Sequence, residues 1–142
     1  GFTSTSNIHA WLSNVSGTPA SYVNSFFGPI QTADGTQVAQ STAAFSGCSP
    51  SGNTCLQAPI DKDVHGNPVL QQVGDDPHLW TGTYPAGNNG GGQLPNCQDW
   101  TSSSASDFGT GGNMIETNAG FTTGIQDTCN NSHHLMCVQF GP

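Results

Sequence analysis

The apolar residues of this chain sit in short anchors separated by long polar intervals, and no extended window repeats with helical period. Ile8-His9-Ala10-Trp11-Leu12-Ser13 has the apolar and aromatic character of a strand, and Asn14 to Gly17 supplies a turn. Thr18-Pro19 reads as an N-cap followed by proline at the first helical position. It opens a short helix through Tyr22, Val23, Phe26 and Phe27 that Gly28-Pro29 ends. Pro29 to Thr32 predicts a short strand and Asp34-Gly35 a tight turn. Thr36 then caps a second short helix through Val38 to Phe45, stopped at Gly47. Further on, Ala58-Pro59-Ile60 reads as a strand, Asp61 to Asn67 as a turn and Val69-Leu70 as the return strand. Gly74 to Pro77 leads into a strand at Leu79-Trp80-Thr81-Gly82-Thr83. Tyr84 to Asn96 and Thr101 to Asn113 are rich in glycine and amides with little periodicity, which predicts long loops, and long loops in a compact domain often carry function. Cys129, His133-His134 and Leu135-Met136-Cys137-Val138 predict a closing hairpin.

Anchors this short form one core only if something besides helical periodicity holds them together, and disulfides are the obvious device. The five cysteines are unevenly spaced and show no repeated Cys-x-x-Cys, which favours disulfides in an oxidising compartment over a zinc site. Cys48 and Cys55 enclose a turn-rich segment whose ends can meet, so a local disulfide stapling a surface loop is expected there.

A chain of 142 residues is expected to form one domain, spanning 1–142. Its three tryptophans and seven phenylalanines argue for a packed core rather than disorder. Charge narrows the partners. A single cation, Lys62, stands against nine acids, leaving a net charge of -8. Such a surface cannot neutralise a phosphate backbone, so nucleic acid, heparin-like polyanions and anionic membranes are poor partners. No apolar run is long enough to insert into a membrane.

In order along the chain, Ala10-Trp11-Leu12-Ser13, Ala33-Asp34-Gly35, Ala44-Phe45-Ser46-Gly47 and Pro59-Ile60 are followed by Leu79-Trp80-Thr81-Gly82-Thr83, Cys97-Gln98-Asp99-Trp100-Thr101-Ser102, and Cys129 with Leu135-Met136-Cys137-Val138. Taken together these pieces resemble the endostatin-like branch of the C-type-lectin-like fold, found at the C-terminus of certain collagens and in a related domain of bacterial surface lipoproteins. The resemblance implies an α+β fold with short helices, a mixed or antiparallel sheet and long disulfide-stapled loops, as the C-terminal part of a larger protein. It also implies a Cys97–Cys129 bridge. The family's usual partner for the last cysteine lies upstream of the Ala-Trp-Leu-Ser strand, so Cys137 is expected to be unpaired within this chain. It is either a free thiol buried on a core strand or bonded to another chain. The arginine-rich heparin face and the N-terminal histidine zinc site of the family have no counterpart here, nor do the Glu-Pro-Asn and Trp-Asn-Asp pieces of calcium-dependent lectins.

The candidate chemistry is sparse. Asp61-Lys62-Asp63-Val64-His65-Gly66-Asn67 offers oxygens at alternate positions, with Asp61, Asp63 and Asn67 as calcium ligands, but the same residues suit a hairpin turn. No other cofactor is expected. His133 and His134 point to opposite faces of a strand, so one is expected to be buried and the other exposed. No Gly-x-Ser-x-Gly elbow is present and nothing local places Asp99 and Glu116 together as a carboxylate pair, so an enzyme is not expected. What remains is the polar set Tyr84, Asn88, Asn89, Gln93, Asn96, Asp99, Trp100, Asp107, Asn113, Glu116 and Asn118, whose amides, carboxylates and aromatic faces suit a glycan or a polar protein epitope. Trp100, next to a cysteine, suits a core pillar as well as a stacking platform, and Asp99 suits a loop brace. The expected function is non-enzymatic recognition or adhesion by a secreted or cell-surface domain, borne by analogy on a trimeric stalk. The alternatives are a packing or oligomerisation domain of a surface fibre and a calcium-dependent lectin.

Overall fold

The computed structural model describes residues 8–19, 28–41, 44–45, 56–84 and 94–139. The Cys48–Cys55 staple, residues 20–27 of the predicted first helix, and the ligand candidates Asn88, Asn89 and Gln93 lie outside them. In chain order the elements are β1 (Ile8–Ala10), β2 (Ile30–Gln31), β3 (Gln37–Ala39), β4 (His78–Trp80), the short helix α1 (Cys97–Trp100), β5 (Phe108–Asn113), the short helix α2 (Gly120–Thr123), β6 (Ile125–Thr128), β7 (His134–Leu135) and β8 (Cys137–Gln139). The fold is mixed α+β, with short helices and small sheets. One sheet has the order β6-β5-β4-β7, parallel only between β4 and β7; β1 pairs with β8 and β2 with β3, both antiparallel.

The glycine-rich run before Asn113 is not a loop, as its composition suggested. Its second half is β5, flanked on both sides within the four-stranded sheet. Close approach requires the glycines: a Cβ on Gly109 would lie 2.7 Å from the Trp80 ring and 2.8 Å from Cys97 Sγ, and one on Gly112 would run into the backbone of Phe121 and Thr122. Composition that reads as loop is here the imprint of backbone packed beneath a tryptophan and across α2.

A second correction falls on Val38. It belongs to the strand β3, with Val38 and Ala39 both buried, not to a helix capped at Thr36. The Asp34-Gly35 turn folds β3 back onto β2, and that pairing overrides a weak helical preference. The helical turn at Phe45 is capped instead at Ser41, whose Oγ accepts from the Ala44 N–H while its carbonyl accepts from the Phe45 N–H. Within the predicted turn, Asp34 accepts from the Thr32 hydroxyl at 2.6 Å and the Thr36 N–H at 3.0 Å. These bonds, the Thr32 hydroxyl foremost, hold the Asp34 carboxyl down at about 2. Because the folded value is depressed, the contribution of Asp34 is present above the unfolded carboxylate value and is lost as pH falls toward 2. Carboxyl-detected NMR should place its midpoint near that value, and a midpoint in the ordinary aspartate range would mean that the turn does not hold these bonds.

Ala58 to Ile60 and Val69-Leu70 are not strands; the 61–69 segment closes through a single bridge between Lys62 and Pro68. The predicted closing hairpin is also absent. β7 joins β4 in the large sheet, whereas β8 pairs with β1, and Met136 between them marks the crossing, its carbonyl accepting from Trp11 N.

The Cys97–Cys129 bridge is present, with Cα atoms 5.6 Å apart, and bonds of this kind persist in oxidising surroundings. It anchors a left-handed turn: Cys97, Gln98, Asp99 and Trp100 all have φ between +53° and +64°. Each non-glycine residue in that region costs about 1–2 kcal/mol. The turn persists because its ends are fastened. Trp100 Nε1 donates to Ser13 O at 2.9 Å, and Asp99 accepts from Val15 N and from Asn96 Nδ2. Gln98 is exposed, so Gln98→Gly should raise stability by roughly 1 kcal/mol, the relief of the left-handed conformation less the bond from Gln98 to Asp107. Denaturant melts giving a loss instead would show that the strain is not there.

The core gathers Trp11, Val38, Phe45, Leu56, Leu79, Met114, Phe121 and Met136 from strands, short helical turns and the connections between them. Trp11 meets Phe45 edge-on at 4.8 Å and Phe45 meets Phe121 at 5.0 Å. Among the described residues Cys137 makes no disulfide, and it is exposed opposite Ala10, not buried on a core strand.

Candidate functional site

Parallel pairing of β4 with β7 sets Leu79 opposite His134 and Trp80 opposite Leu135. One step back along both strands are His78 and His133, whose rings lie 5.6 Å apart. Asp76, two residues before His78, bridges them: Oδ1 is 2.7 Å from His78 Nδ1, and Oδ2 is 2.6 Å from His133 Nδ1. The far nitrogen of His133 reaches Asp127 Oδ2 on β6 at 3.0 Å, and its ring packs on Trp80 with centroids 4.5 Å apart. His133 is therefore nearly enclosed, with 6% of its side chain exposed, while Asp76 at 40% and His78 at 33% open to solvent.

Burial pushes the Asp76 carboxyl up, but the bonds from His133 and the His78 backbone N–H outweigh it and hold the group below the ordinary carboxylate range. Asp127 is held low first by the Asn131 side-chain amide and then by the Thr128 N–H, with His133 adding to both. Two carboxylates on one imidazole make a chain that can hold a proton or, with the proton gone, offer nitrogen and oxygen ligands on one side.

The histidine reading is met: His133 is enclosed and His134 exposed. Its partners were beyond local reading, because Asp76 comes from the turn before β4 and Asp127 from β6. The only signals were the acidic turn before His78 and the position of His133 beside an apolar stretch.

The polar candidates fall into two local groups. Asn96, Asp99, Trp100 and Asp107 surround the disulfide turn. Asn96 is buried and caps the turn through the Asp99 N–H, Asp99 ties it to Val15, Trp100 donates to Ser13, and Asp107 accepts from Gln98 and Ser102. Asn113, Glu116 and Asn118 shape the connection from β5 to α2: Asn113 accepts from Ile115 N, Glu116 from the Asn118 amide, and Asn118 from Gly120 N. Much of this hydrogen-bonding capacity is used inside the molecule. Tyr84 differs, lining a shallow depression of about 490 Å³ with Leu94, Pro95, Thr123 and Gln126. A cavity of about 790 Å³, which sequence reasoning did not foresee, lies between β2, the 62–71 segment and β8, with Lys62 among its lining residues and Trp11 toward the core.

At the calcium candidate, Asp63 Oδ1 accepts from the backbone N–H of His65 and Asn67, and Oδ2 from the Asn67 amide. Asp61 pairs with Lys62 at 2.9 Å. The Asp63 oxygens close a hairpin turn, and the Asn67 N–H foremost, against an opposing effect of burial, draws the Asp63 carboxyl down. A thermal melt should therefore not move on adding calcium; a rise would reveal a site.

No protein-family model and no curated protein sequence matches the chain. Among the described residues no helix is long and apolar enough to cross a membrane.

Proposed function

We propose that this chain is a C-type-lectin-like domain of the endostatin-like kind, secreted or held at the cell surface, and that it recognises a glycan or a protein without catalysing a reaction. The observation that carries this reading is the Cys97–Cys129 bridge, which joins the two cysteines that the resemblance pairs. Around it the chain sets polar turns from Asn96 to Asp107, with Tyr84 and its depression beside Pro95. Turns braced from within hold a binding surface rigid, and rigidity lowers the entropic cost of capture. The near absence of cations favours neutral sugars or polar epitopes over polyanions. A glycan array and a pull-down from intact cells should each be run with wild type and Tyr84→Ala. Binding that weakens in the variant supports the reading, and silence in both assays removes it.

A second reading, packing against copies of itself or the rest of a surface fibre, draws on exposed apolar side chains at Val15, Val73, Phe108, Ile115 and Leu135. Concentration-dependent assembly in light scattering would favour it; a monomer at all concentrations would favour recognition.

A further inference from the structure

We propose that Asp76, His78 and His133 form a binding site for a divalent transition metal of the zinc type. The inference is independent of the recognition reading and rests on side chains that the fold brings together. One ligand atom from each residue lies within 4.8 Å of the others, and all three face the same small volume at the end of the β4–β7 pair. Two imidazole nitrogens and a carboxylate oxygen are a donor set for zinc, nickel or copper; calcium and magnesium take oxygen alone.

The surroundings are arranged as they are around bound metals. A histidine ligand needs its second nitrogen protonated and held, so that the first presents its lone pair to the ion. His133 has that support: Nε2 lies 3.0 Å from Asp127, Nδ1 is turned to the cluster, and the Trp80 ring closes one side. Asp127 is fixed in turn by the Asn131 amide and the Thr128 N–H. Two ligands come from one short segment at the start of β4 and the third from the residue just before the neighbouring parallel strand, so the ladder beside them sets their spacing.

In the structure Asp76 lies between the two imidazoles, its Oδ1 2.7 Å from His78 Nδ1 and its Oδ2 2.6 Å from His133 Nδ1. A tetrahedral ion with bonds of about 2.0–2.1 Å spaces its ligands roughly 3.3 Å apart. Binding therefore places the ion among the three ligand atoms and widens the carboxylate–imidazole contacts toward that spacing. His78, one-third exposed at the start of its strand, is free to make that adjustment. Three protein ligands leave a position open toward solvent, for water or for an oxygen or nitrogen donor of a partner molecule.

The test is titration calorimetry of zinc into the intact, oxidised chain near neutral pH. Cys137→Ser is used as background so that the exposed thiol cannot take the ion. The expected result is uptake of one equivalent. His78→Ala should weaken it about tenfold or more, as should Asp127→Asn, which removes the outer carboxylate and leaves all three ligands in place. His134→Ala, an exposed histidine adjacent in sequence, should leave affinity unchanged. Circular dichroism of each variant checks the fold. X-ray absorption of the zinc-loaded background protein reads the ligands without any substitution in the cluster: a nitrogen and oxygen shell with imidazole scattering is expected. No uptake, a sulfur shell, or affinity that follows His134 instead of His78 would overturn the proposal and leave the cluster a hydrogen-bonded brace.

Discussion

Cys97→Ala combined with Cys129→Ala is expected to lower stability by about 4 kcal/mol. The bridge closes a loop of 32 residues, and the loss of that restraint from the unfolded chain accounts for the figure in the chain-entropy account. Alanine is the right replacement, since both cysteines are buried and a serine hydroxyl there would need a partner. For a chain of this length the melting temperature should fall by roughly 10–15 °C. The change should also be local. The left-handed turn from Cys97 to Trp100 is held partly by the bridge, so the Trp100 emission should redden as its bond to Ser13 loosens. A loss below about 1 kcal/mol would show that the turn stands without covalent help.

Trp11→Ala should cost a comparable amount, about 3–5 kcal/mol. The side chain is fully buried, meets Phe45 edge-on and, through its backbone bond to Met136, sits where the two-stranded β1–β8 sheet joins the larger one. Removing it empties the centre of the core at a point no single element can refill. Trp11→Phe makes a sharper comparison. The indole Nε1 is buried and has no hydrogen-bond partner among the described residues, so phenylalanine gives up volume but also removes a desolvated donor. Its cost should be less than half that of alanine. Equal costs for the two substitutions in denaturant melts would mean that ring packing at this position contributes little.

These two predictions draw on what the chain discloses most plainly. Trp11 stood out as the one tryptophan in an apolar run near the beginning, and the 97–129 pairing followed from the resemblance. Turns were legible for a local reason: Asn14, Asp34 and Asp63 each satisfy backbone N–H groups a few residues on, a property of the side chain that needs no distant partner. Strands were less so. β5 was hidden because its glycines answer to Trp80 and Phe121, which lie far from it in sequence, and β3 because a two-residue partner strand outweighed its own preference. The Asp76–His78–His133 cluster was the least accessible. Neighbouring letters announced one short acidic turn and one histidine pair, and only the parallel register of β4 and β7 makes them a site.

The pairing of β1 with β8 also bears on how the protein is made. The first described strand finds its partner only in the last, with Ile8 opposite Gln139. During synthesis the β1 segment must therefore wait, its tryptophan unhoused, until β8 has left the ribosome. Contacts of such long sequence separation make for slow closure. Export or chaperone holding before release would shelter this chain during the interval when it is most prone to aggregate.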